Sequence, residues 1–193
     1  MPAWSIAGAL VERASADDLE SVLAPDAPGV AAEELRELAD LLERYLKSLP
    51  DAVAALTAMS KEPQVGRSVA FAAGQVLLYL ADEDDLLAED EAGAIGLLDD
   101  TYLAHACVAS IRAAFPQLGV PAGYAPPDER SVDAVRSLLP AGLTDALDRT
   151  SDNLVRVAAG LFSSGGDGPA GADRAPRPQL RVEAAVGALR DAR

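Results

Sequence analysis

Four carboxylates, Asp85, Glu89, Asp99 and Asp100, are the side chains whose type and spacing point to chemistry. Hard divalent cations take several oxygen ligands, so acids that converge on one turn fit Mg²⁺, Mn²⁺ or Ca²⁺. Asp100 shares a helical face with Ala104, Val108 and Ile111, which reads as the inner face. An inward acid needs a partner, either the Arg67 guanidinium or a metal. A structural reading competes. Acids at a helix start accept orphan N–H groups and face the positive end of the dipole. The spacing is not that of an EF-hand, which needs alternating acids, a glycine and a closing Glu.

His105 is the single histidine and Cys107 the single cysteine. At about 100° per residue, His105 lies about 140° from Asp100 around a helix, so it does not join the acids. It is expected to face Leu98 and Arg112 as a partly exposed or interface residue. Cys107 neighbours the inner face and reads as a buried, inert thiol. With one residue of each kind, zinc sites and nucleophilic dyads have little to build on. No nucleophile elbow, phosphate-cradling loop or zinc-protease helix motif is present. Gly165-Gly166-Asp167-Gly168 falls in a linker, not between a strand and a helix.

The elements that must position these residues read as helices. Half of the residues are hydrophobic but only 4% are aromatic, and Ala and Leu, the best helix formers, dominate. An all-α, multi-helix bundle is expected, with two central antiparallel helices joined by an acidic elbow. Leu35, Leu38, Leu42, Tyr45 and Leu46 form one apolar stripe over a helix at 30–49, which Pro50 ends. Asp51 then starts a helix to about Ser60. Helices are expected over about 2–23 (one or two short ones, with Ser15 as an N-cap), 64–81, 96–115, 129–138 and 141–163. Residues 24–29 and 116–127, rich in Pro and Gly, break the chain. Residues 1–163 read as one helical domain and 164–178 as a flexible linker. Residues 179–193 form a terminal amphipathic helix carrying Val182, Ala185, Val186 and Leu189. That helix either docks on a partner or folds back on its own acidic body.

The formal net charge of -15 argues against nucleic acid, whose phosphates need neutralising Lys and Arg. Anionic membrane surfaces are disfavoured for the same reason. The longest apolar stretch, Ser68 to Ala81, is too short to span a bilayer. The first residues lack a basic start and do not read as a secretory signal. A single cysteine fits a reducing cytoplasm. Lysines are limited to Lys47 and Lys61, which with the alanine content suggests a GC-rich genome.

The middle of the chain, about residues 51–113, resembles the YkvA-like family, small helical bacterial proteins of unknown function. Tyr79-Leu80 leads into Asp85-Leu86-Leu87-Ala88-Glu89, where the family carries Asp-Leu-Ile-Pro-Asp. Gly96-Leu97-Leu98-Asp99-Asp100 then matches its second acidic motif. Lys61-Glu62-Pro63 and Arg67 look like its entry turn and basic residue. Ala88 stands in place of the family's proline, and Glu89 in place of its second aspartate. The resemblance implies two long helices around an acidic elbow and no established activity.

A non-enzymatic interaction or assembly protein is therefore expected. A protein partner or a second copy would engage it, with the 179–193 helix a candidate contact. A divalent-metal-dependent enzyme using Asp85, Glu89, Asp99 and Asp100 is the alternative, and a peripheral membrane adaptor a further one.

Overall fold

Apolar spacing of three and four residues recurs along most of the chain, and the described residues that carry it fold into helices. The structure, a computed structural model, describes residues 11–12, 14–61, 66–79, 93–158 and 180–192. Eight α-helices are found among them: α1 (Ala16–Leu23), α2 (Ala32–Leu46), α3 (Leu49–Ser60), α4 (Gly66–Tyr79), α5 (Leu98–Ala114), α6 (Glu129–Leu138), α7 (Ala141–Ala158) and α8 (Val182–Asp191). No strand occurs among the described residues. The protein is an all-α multi-helix bundle. None of the described helices is long and apolar enough to cross a membrane.

Local signals set several helix starts. Ser15 caps α1, its hydroxyl accepting the Asp18 N–H at 3.2 Å. Asp128 caps α6 by accepting the Ser131 N–H at 2.7 Å, which holds its carboxyl below the usual carboxylate value. Pro50 does not end a helix. It lies in the first turn of α3, where a missing N–H costs nothing. The stop for α2 comes earlier, at Leu46. Gly93–Leu97 forms a 3₁₀ turn that runs into α5.

The axis of the bundle is α5, which packs against α2, α3, α4, α6 and α7. Enclosure on so many sides buries every residue from Leu98 to His105. The predicted stripe of α2 is buried along its whole length. The terminal helix α8 lies against α6 and α2, with Val182, Ala185, Val186 and Leu189 all buried. The Arg181 N–H donates to the Leu138 carbonyl at 2.8 Å, and Arg190 forks onto Glu34 with both contacts at 2.5 Å. Between docking outward and folding back, the structure shows the second. The apolar side of α8 is covered by its own bundle. The linker at 164–178 and the acidic elbow lie outside the described residues.

Candidate functional site

The four acids divide. Asp99 and Asp100 fall in the first turn of α5 and are buried, at 0% and 1% exposure. Both face the positive end of the helix dipole and have polar or electrostatic partners. The residue at the cap position itself is Leu97. Asp85 and Glu89, with the Arg67 side chain, lie outside the described residues. Among the described residues, no group of three or more His, Cys, Asp or Glu side chains is placed to hold a metal. Cys107 is buried, and burial pushes its thiol up to about 12, so it stays a neutral thiol at ordinary pH.

The lone histidine corrects its expected position. His105 is not partly exposed. It is 5% exposed, held between Ser48 and Tyr124. Helical phase gives the angle of His105 on α5 but not what packs over that side. The α2–α3 junction and the 119–128 loop close over it.

Hydrogen bonding assigns the proton on this ring. The Ser48 hydroxyl donates to the Tyr45 carbonyl at 2.5 Å, so its oxygen is left to accept from His105 Nε2 at 2.7 Å. Nδ1 then accepts from the Tyr124 hydroxyl at 2.8 Å. Burial holds the ring neutral, lowering its pKa to about 4. The Tyr124 hydroxyl is pushed up to about 12, also by burial. A turn delivers Tyr124. Its N–H donates to the Pro121 carbonyl at 3.1 Å, and Gly123 takes φ +84°, the conformation that favours glycine at the third turn position.

A second polar group stands on the same face of this helix. Tyr102 is one turn before His105 on α5. Its hydroxyl donates to Asp148 Oδ1 of α7 at 2.7 Å and accepts from the Arg136 guanidinium of α6 at 2.8 Å. Arg136 closes the triangle onto Asp148 Oδ2 at 2.7 Å, and its guanidinium carbon lies 5.9 Å from the Tyr102 ring centre. Burial, and then the Asp148 carboxylate, hold the Tyr102 hydroxyl well above its ordinary value. Tyr102→Phe should cost about 1 kcal/mol in a urea titration, because Arg136 and Asp148 each lose a partner that water only partly replaces.

Between these two groups opens a recess of about 320 Å³. Tyr45, Tyr102 and Tyr124 form its walls with His105, Pro126 and Pro127. The space exists because α5 presents Ala106 and Ala109 there, side chains too short to fill it. Tyr102, His105, Ala106 and Ala109 follow the helical spacing of one face. Two polar aromatics followed by two alanines on that face are the one sequence signal that points to the recess. Tyr124, Arg136 and Asp148 carry no such signal, because they arrive from a loop and two other helices.

Fold and site together define an all-α bundle with an aromatic recess against its central helix. Compared with known proteins, the chain matches no family model, no curated protein and no solved structure.

Proposed function

We propose that this chain is a non-enzymatic interaction protein that recognises its partner through the recess on α5. The observation that carries this reading is the recess itself, an open cavity of about 320 Å³ walled by aromatic rings. Its polar atoms are held by bonds within the protein. Both His105 nitrogens are engaged, and the Tyr102 hydroxyl is held between Arg136 and Asp148. Such an arrangement keeps the walls rigid, which favours recognition. A single buried thiol fits a reducing cytoplasm as its compartment. Kinship with the YkvA-like family belongs to the same reading. What supports it is the position of Gly96-Leu97-Leu98-Asp99-Asp100 at the opening of α5.

Ala109→Trp tests this function. Ala109 is exposed at the rim, so an indole there fills the recess and leaves the core intact. Light scattering of the full chain, alone and with partners captured from the native host, should show association that Ala109→Trp removes. A chain that does not self-associate, and whose captured partners all survive Ala109→Trp, would overturn the reading.

A second reading, a divalent-metal-dependent enzyme, draws on the burial of Asp99 and Asp100. It expects millimolar Mg²⁺, Mn²⁺ or Ca²⁺ to raise the melting temperature, and Asp85→Asn with Asp100→Asn to abolish the rise. An unchanged melting temperature in all three metals would end it.

A further inference from the structure

We propose that the recess takes a neutral, flat aromatic group with one hydrogen-bonding edge, an indole or phenol ring being the fitting size. The inference rests on reading the recess as the recognition site and adds the chemistry of what enters it.

Size comes first. Ligand pockets run from roughly 300 to 1,000 Å³, and about 320 Å³ lies at the small end. One ring system fits, and a larger ligand would leave most of its surface in water. Shape follows from the walls. The Tyr45 and His105 rings lie 5.6 Å apart at 46°, and His105 and Tyr124 lie 5.7 Å apart at 33°. These separations are those of interacting aromatic pairs, so a guest ring extends an array already formed. Pro126 and Pro127 add flat apolar faces to a lining that also holds the short side chains of Ala106 and Ala109.

Charge decides the class. Arg136 and Asp148 are the charged residues of the lining, and they are bonded to each other. The Tyr102 and Tyr124 hydroxyls keep their protons at neutral pH, and the His105 ring is neutral. A carboxylate or ammonium entering the recess would give up water for a lining whose two charges already neutralise each other. A neutral ring incurs no such cost. Its one N–H or O–H finds acceptors at the Asp148 carboxylate and the phenol oxygens.

Methyl NMR of the full chain, following Ala106, Ala109 and Val132, tests the proposal. Indole and p-cresol represent a free ligand. N-acetyl-tryptophanamide and N-acetyl-tyrosinamide represent the same rings on a partner chain. Benzoate and benzylammonium carry the excluded charges. The neutral probes should shift these methyls saturably, with the charged probes about ten-fold weaker or worse, and Ala109→Trp should remove the response. Tighter binding of the free rings assigns a small molecule as the source. Tighter binding of the capped residues assigns a partner's side chain. If benzoate or benzylammonium binds as well as indole, the neutral class is wrong while the recess stays a recognition site. If no probe moves these methyls, the aromatic class is wrong, and the association test on Ala109→Trp decides the recognition reading separately.

Discussion

Leu189→Asp will destabilise the protein by about 3 kcal/mol or more, the largest effect expected of any change on α8. Leu189 is 2% exposed and closes an apolar side with Val182, Ala185 and Val186 against α6 and α2. Removing a buried leucine costs about 2–5 kcal/mol by itself. An aspartate there adds a desolvated charge, in the last turn of a helix whose dipole disfavours it. Chemical denaturation of the variant beside Arg190→Ala separates packing from charge. The Arg190–Glu34 pair is exposed on its arginine side, so its loss should move the midpoint far less. If Arg190→Ala proves as damaging as Leu189→Asp, the attachment of α8 is ionic and the packing account fails.

The second large effect is a dependence on pH set by His105. In the unfolded chain the imidazole takes up a proton near its ordinary value of 6.5, and in the folded chain burial keeps it neutral down to about 4. Between those values the unfolded chain binds the extra proton. Stability therefore rises with pH across this window. The contribution is complete above 6.5 and is lost as the pH falls toward 4. The gap between the two values corresponds to roughly 3 kcal/mol at most. His105→Gln removes the titrating group. At pH 8 it should cost about 1–3 kcal/mol through the disturbed bonds to Ser48 and Tyr124. Its stability should then fall less steeply than that of the wild type between pH 6.5 and 4. Parallel curves for the two proteins would show that His105 is not the group responsible.

The Pro50 result shows how local signals are legible without being decisive. Proline breaks a helix interior, and a reader of the sequence ends α2 there. The chain had already stopped at Leu46, and the proline serves the next helix instead. Its fixed backbone angle suits both places, so only the path of the chain distinguishes them.

The acids and the histidine complete the contrast. Helical periodicity gave Asp100 an inward face, and its burial follows from that phase. The stripe of α2, the cap at Ser15 and the apolar side of α8 are legible in the same local way. Each depends on contacts within a few residues, which sequence spacing encodes. His105 was set apart from the acids by the same arithmetic, because its angle from Asp100 is a property of one helix. What it meets is Ser48, 57 residues earlier, and Tyr124, 19 residues later. Tyr102, Arg136 and Asp148 likewise come from three helices. Thus the amino-acid sequence by itself determined an acidic all-α chain and the inner face of α2, α5 and α8. Only the tertiary structure decided that α8 turns its apolar side onto its own bundle. Only the tertiary structure, too, brought three tyrosines and the single histidine around one recess. The reason is physical: a helix repeats every few residues, whereas a pocket is made where separate helices leave a gap.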